Sequence, residues 1–247
     1  MPKAKVVILA TEGVTTNLLY NGLSSDFDVV KVIIESRQSK VQLFKRRVKR
    51  LGLMKVLGQA AFLLIVRPLI PSRQKRIEAI LNEKKVSKSE IPSSKIKTVE
   101  NVHDLHSLHQ IQADFIVING TRILKKDFIQ SAPCPIVNIH VGITPKYRGV
   151  HGGYWALRNQ EPELFGVTLH FVDAGIDTGN VIAQQVCQPT AQDNFKTYPI
   201  LQYASGVQLL LKHGSSIVSG TVESKTPMSN ESQLWYHPTI WEYLVAP

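Results

Sequence analysis

The chain has 247 residues, 43% hydrophobic and 19% charged, a balance that supplies a sizeable core and excludes an intrinsically disordered protein. Its two cysteines, Cys134 and Cys187, lie far apart without metal-type spacing, which argues against a disulfide framework and for a reducing cytoplasm. The net charge of +10 is uneven: residues 37–100 carry 17 Lys and Arg against 4 Glu, a basicity suited to phosphate-bearing small molecules, nucleic acid or an anionic membrane surface.

Met1-Pro2-Lys3 has none of the order of a signal peptide and leads into Lys5–Ala10, a short, continuously apolar run that reads as a buried parallel strand. A polar turn at Thr11–Asn17 precedes an apolar helical run, and Asp28–Glu35 is a second strand, giving a βαβ opening. Residues 36–94 interrupt the alternation with the basic run Lys45–Arg50 and the apolar run Val56–Val66. That run is too short for a membrane span of about 20 residues and suits a buried helix, a dimer contact or a helix lying in a membrane interface. Strands follow at Lys95–Val99, Asp114–Ile118, Pro135–His140, Val167–Val172 and Asn180–Val186. A helix from Asn101 carries His103, His106 and His109, whose three-residue step drifts around the helix and completes no metal site. A last helix is expected from Asp193-Asn194 to His213, stopped by Gly214. The fold class is therefore α/β: a Rossmann-like, open, mostly parallel sheet with flanking helices and a basic helical insertion. Residues 1–188 are expected to form one catalytic domain containing that insertion, and 189–247 to add a helix and an aromatic-rich tail.

Within Val137-Asn138-Ile139-His140, Asn138 and His140 project to one face of the strand, where polar groups need partners or a task. The turn Asp173–Asn180 offers Asp177 as a carboxylate among flexible glycines and backbone amides. Each piece alone is weak evidence. Asn138-x-His140, then Pro145-Lys146-Tyr147-Arg148-Gly149, then Gly166-x-Thr168-x-His170, then Gly175-Ile176-Asp177-Thr178-Gly179 together resemble the formyltransferases that use N10-formyltetrahydrofolate. The resemblance is close from Asp114 to Gln185, and is most like the nucleotide-sugar N-formyltransferases. It departs at Val141-Gly142-Ile143-Thr144, which replaces the Ser-Leu-Leu type of run that often follows the His.

The resemblance implies that Asn138, His140 and Asp177 are catalytic. An amide donor stabilises the charge developing on the formyl oxygen, the imidazole moves a proton, and the carboxylate favours the protonated ring. It also implies a co-substrate site for N10-formyltetrahydrofolate, with Asn119, Gly120, Thr121, Arg122, Ile123 and Leu124 on one side and Ala174, Gly175 and Ile176 on the other. No metal is expected. Substrate-side candidates are Gly13, Thr15 and Asn17 as a phosphate cradle at a helix start, Lys146, Tyr147 and Arg148 in the loop, and Trp235 and Tyr236 in the tail.

The acceptor expected is the amine of a small phosphorylated molecule, foremost a nucleotide-linked amino sugar as in polysaccharide biosynthesis. Glycinamide ribonucleotide is the alternative. Methionyl-tRNA ranks lower, since only 59 residues follow Gln188, and nucleic acid is not an expected partner. A binding protein on the same scaffold, touching membrane through the basic helix, is the reading from another class. The apolar patch at Phe62–Ile65 predicts a homodimer.

Overall fold

A strand covered on both faces has no polar side to show, and the first strand of this sheet illustrates the rule. In β1 (Lys5–Ala10), Val6, Ile8 and Ala10 enter one hydrophobic cluster while Val7 and Leu9 enter another. The computed structural model describes residues 2–36, 39–104 and 112–245, so His106 and His109 lie outside the described residues. After β1 come α1 (Val14–Leu23), β2 (Asp28–Glu35), α2 (Lys40–Leu51), α3 (Leu53–Ala61), a π-helical turn at Phe62–Val66, α4 (Arg67–Leu69) and α5 (Gln74–Glu83). The chain continues with β3 (Ile96–Val99), β4 (Phe115–Asn119), α6 (Lys126–Gln130), β5 (Ile136–His140), β6 (Arg148–Gly149) and α7 (Gly152–Arg158). It closes with β7 (Gly166–Phe171), β8 (Val181–Val186), α8 (Tyr198–Ser219), β9 (Leu234–Trp235) and α9 (Ile240–Leu244).

Seven strands pair in the order β3-β2-β1-β4-β5-β7-β8. The pairings from β3 through β5 are parallel, and β7 and β8 are added antiparallel. β5 is thus the last parallel strand, with its carboxyl end at the edge where the sheet changes direction. α1 and α8 pack together, and α8 also lies against α5, β5 and β7. The opposite face is filled by Val102, Leu124 and Phe128.

A third cluster joins the end of the insertion to α7 and the tail: Phe62, Tyr147, Trp155 and Phe195 are buried there, with Trp235 and Tyr243 packed against them. Phe62 meets Phe195 and Tyr243 at ring-centroid distances of 5.1 and 4.9 Å. The patch expected at Phe62–Ile65 is therefore split by the π-helical turn, with Phe62 fully buried and Leu64 and Ile65 exposed. Arg76 of α5 pairs bidentately with buried Asp193, through Nε–Oδ1 at 3.0 Å and Nη2–Oδ2 at 2.8 Å.

The helix expected from Asp193-Asn194 to Gly214 is α8, starting later and ending later. Asn194 makes a turn instead, its side chain accepting from the amide of Lys196 while the amide of Thr197 donates to its carbonyl. Gly214 sits inside the helix, where a Cβ would lie 2.2 Å from the Phe27 ring; it is a close-packing position, not a stop. Gly220, with φ 68, ends the helix.

Candidate active site

β5 pairs antiparallel with β7 so that Asn138 stands opposite His170 and His140 opposite Thr168. Directly opposed residues share a sheet face, which gathers these four polar side chains beside one another. Asn138 Nδ2 lies 3.2 Å from His170 Nε2 and donates to Asp177 Oδ1 at 3.3 Å. His140 directs Nδ1 at Asp177 Oδ2, 3.3 Å away, and Nε2 at the Tyr147 carbonyl, 2.7 Å away. Both neighbours of the ring are acceptors, so a neutral imidazole, with one N–H, satisfies only one of them. Thr168, fully buried, donates from Oγ1 to the Gly142 carbonyl and accepts from the Thr144 amide, which fixes the loop after β5.

Asp177 adopts φ 52, a left-handed conformation that Asp tolerates better than most residues. Two contacts hold its turn: Arg148 Nη1 donates to the Ile176 carbonyl at 3.1 Å, and the Gly149 amide donates to Asp177 Oδ2 at 2.9 Å. Gly149 has φ 93, and a Cβ there would lie 2.3 Å from the Trp235 carbonyl, so only glycine fits between turn and tail. Burial pushes the Asp177 carboxyl up. The facing imidazole of His140, the His170 ring 3.7 Å away and the Gly149 amide outweigh it and hold the group well below the usual carboxylate range.

Beside this cluster opens a cavity of about 1090 Å³. Asn138, His140 and Asp177 are not among its lining residues, but Ile176 and Gly149, the chain neighbour and the amide donor of Asp177, are. Arg46, Arg47 and Arg50 of α2, together with Arg122, Lys125, Trp235, Tyr236 and His237, line the same space. Arg50 lies over the Tyr236 ring, 5.4 Å from its centroid. Nearby, His237 Nδ1 approaches His151 Nε2 at 2.9 Å. Burial first, then His237 and Arg67, lower His151 to about 3; burial first, then Arg47 and Arg67, lower His237 to about 4.

The sequence-derived candidates fall into three groups. Asn138, His140 and Asp177 meet, and Thr121, Arg122, Ile123, Ile176, Trp235 and Tyr236 share the cavity wall. Arg122 is also structural, paired with Glu35 and donating from Nη2 to the Glu100 carbonyl. Ala174 and Gly175 are exposed on the outside of the Asp177 turn, and Gly120 turns the chain after β4 with φ 70.

Several candidates are committed elsewhere. Leu124 and Tyr147 are buried in the second and third clusters, and Tyr147 donates its hydroxyl to Glu161. Lys146 pairs with Glu161 at 2.7 Å and Glu231 at 3.1 Å. Asn119 donates to Thr15 and Thr16, tying β4 to α1. Gly13 and Asn17 line a separate cavity together with the carboxylates of Glu12 and Glu90, surroundings that oppose a phosphate. Trp235 stacks on Trp155 and Tyr147 at 4.7 and 5.7 Å, so it closes the core as well as walling the cavity. His170 was not among the candidate catalytic residues, although the structure places it against Asn138. Its place in the Gly166-x-Thr168-x-His170 motif was the signal for it, and the strand register supplies its partner.

A mostly parallel α/β sheet with a polar cluster at its last parallel strand and a cavity alongside defines a ligand-binding α/β protein. The formyl transferase family model matches residues 32–199. The chain belongs to the formyl transferase family. It is similar to methionyl-tRNA formyltransferase of Thermodesulfovibrio yellowstonii, at 25% identity over 185 residues that cover 74% of this chain and 59% of the relative. It is also similar to the corresponding protein of Kosmotoga olearia, at 30% identity over 61% of this chain and 48% of the relative. The chain thus spans about half to three-fifths of the length of these relatives. Among solved structures, phosphoribosylglycinamide formyltransferase from Anaplasma phagocytophilum superposes with a TM-score of 0.57, at 16% identity over 93% of this chain and 97% of that one. An N-formyltransferase from Helicobacter canadensis gives 0.54, at 22% identity over 95% and 71%. These likenesses show the shared fold.

Proposed function

We propose that this protein transfers a formyl group from N10-formyltetrahydrofolate to the amine of a nucleotide-linked amino sugar. The observation that carries the reading is the meeting of Asn138, His140 and Asp177 beside a cavity walled by arginines and aromatic rings. The carrier supplies an electrophilic formyl carbon. Asn138 offers a neutral N–H to the oxygen on which charge grows. His140, between a carboxylate and a carbonyl, is placed to hold a proton that the incoming amine gives up and the leaving nitrogen needs; to deliver it, Nε2 exchanges the Tyr147 carbonyl for substrate. Asp177 orients the ring and balances its charge, and His170 steadies Asn138 from the opposite strand.

At about 1090 Å³ the cavity lies at the upper end of the roughly 300–1,000 Å³ of small-molecule sites. Ile123 and Ile176 offer the apolar wall that a flat pterin needs. Arg47 and Arg50, with Tyr236 beside them, suit a diphosphate and a base. The Helicobacter canadensis protein is described in complex with folinic acid and dTDP-3-aminofucose, a donor analogue and an acceptor of these two kinds. Glycinamide ribonucleotide is less well served, because the start of α1 faces Glu12 and Glu90. Methionyl-tRNA is the second reading, favoured by the names of the sequence relatives. The test is a mass-spectrometric panel of nucleotide-linked 3-amino and 4-amino sugars, glycinamide ribonucleotide and charged initiator tRNA, each with N10-formyltetrahydrofolate. Formylation of a sugar nucleotide supports the proposal. Formylation of tRNA or of the ribonucleotide alone replaces it.

A further inference from the structure

Between Glu35 and Glu78 the chain carries 12 Lys and Arg and no Asp or Glu. Over the same stretch stand eight of the 17 exposed large apolar side chains among the described residues. Phe44, Met54, Leu57, Leu64, Ile65 and Leu69 belong to this set, and Leu64 and Leu69 are 77% and 79% exposed. A soluble surface of this length normally dilutes such side chains with charges of both signs.

The two sides of α2 differ in what they meet. Gln42, Leu43, Arg46, Arg47, Arg50 and Leu51, at helical spacing, line the cavity beside the active site. Val41, Phe44, Lys45, Val48 and Lys49 project to the other side at 100° per residue, and none of them lines it. α3 and the turn after it are anchored on one side by Val56, Gln59 and Phe62, Gln59 donating to the His237 carbonyl, while Leu53, Met54, Leu57, Leu64 and Ile65 stay exposed. α9 extends this region: the ring of Trp241 packs on Gly58 yet is 46% exposed.

We propose that α2, α3 and the segment through Leu69 dock the protein on an anionic phospholipid surface, apolar side chains entering the acyl boundary and lysines meeting the headgroups. Charge complementarity selects this occupant. A second copy would bring the same basic face, on which Glu242 of α9 answers Lys55, onto itself across a two-fold axis, like charge against like. A membrane span is the wrong geometry: among the described residues no single helix is long and apolar enough. Leu53–Leu69 with Gln74–Glu83 qualifies only as a pair bent by 90°, and its Val56, Gln59 and Phe62 are committed to the protein core. The inference does not depend on which amine is formylated, but docking would hold the α2-walled cavity close to the lipid surface.

The experiment is vesicle flotation of the full chain with phosphatidylcholine alone and with phosphatidylcholine containing phosphatidylglycerol, with Trp241 fluorescence read in parallel. The expected result is binding to the anionic vesicles only, weakened by salt, with a blue shift of the emission. Lys45→Gln/Lys49→Gln lowers the partition coefficient about 25-fold, at about fivefold per basic side chain near an anionic surface. Leu64→Glu/Leu69→Glu abolishes binding while the circular dichroism spectrum stays unchanged. Equal binding to both vesicle types, no binding to either, or undiminished binding of the Leu64/Leu69 variant overturns the proposal. So does light scattering that shows a dimer which the same variant dissociates, because the face would then belong to a second copy.

Discussion

Replacing Asp177 by Asn separates charge from shape at the centre of the site. The amide oxygen can still accept from the Gly149 amide, now 2.9 Å from Oδ2, and Asn is among the residues most at ease at φ 52. Backbone strain is therefore not what the variant tests. What disappears is the negative charge 3.3 Å from His140 Nδ1, together with an acceptor for Asn138 Nδ2 at 3.3 Å. With the amide oxygen kept at the Oδ2 position, the new NH₂ takes the Oδ1 position and meets the Asn138 amide NH₂, donor against donor. Acid–base and positioning losses of this kind run to about 10²–10⁴-fold, or about 3–5 kcal/mol of transition-state stabilisation. The predicted outcome is a fall of that size in kcat with little change in KM, because Asp177 is not among the cavity-lining residues. Folding stability should drop by about 1.5–3 kcal/mol, the usual worth of a charged hydrogen bond. The assay is initial-rate formation of formylated product by mass spectrometry, with thermal melts as the folding control. A variant that folds and keeps kcat within about threefold of the unmodified protein would refute the role given to this carboxylate.

Other predictions concern the frame around the site. Gly206→Ala places a Cβ 2.3 Å from Ile139 Cγ2 and 2.9 Å from Val167 Cγ2, directly behind β5; it should cost about 1–3 kcal/mol in urea unfolding. Arg76→Met strands the buried Asp193 carboxylate and should cost about 3 kcal/mol, with Asp193→Asn in the same chain restoring part of it. His151 and His237 stay neutral in the fold, lowered to about 3 and about 4 from 6.5, so below 6.5 the unfolded chain binds more protons than the folded one. Stability must then fall as pH drops from 6.5 toward 4, by up to about 1.4 kcal/mol per pH unit for each histidine. Urea midpoints over that range check the slope, and His237→Gln should flatten it.

The centre of the sheet was legible because β1, β4 and β5 are largely buried and so appear as apolar runs; they lie within a residue of their expected positions. The Asn138–His140 pair was legible for a related reason, since two polar residues at strand spacing interrupt such a run. Other features depend on partners distant in sequence. Gly214 looks like a helix stop until Phe27 is seen against it. Tyr147 and Leu124 look like loop residues until the third and second clusters close over them. His170 stands in a motif, but its partner Asn138 follows only from the register of β5 with β7, and Glu12 and Glu90 come together only through the packing of α1 against the segment after α5. Phe62 and Leu64, two apart in one apolar run, are sent to opposite environments by a π-helical turn that composition does not announce.

The most direct test of formyl transfer uses N10-formyltetrahydrofolate labelled in the formyl carbon, an amino-sugar nucleotide, and the unmodified protein beside Asn138→Ala and His140→Ala. The account predicts label in the new amide of the sugar, matched by release of tetrahydrofolate, and loss of both in the two variants. Label released as free formate, retained on the carrier, or transferred equally well by the variants would contradict it.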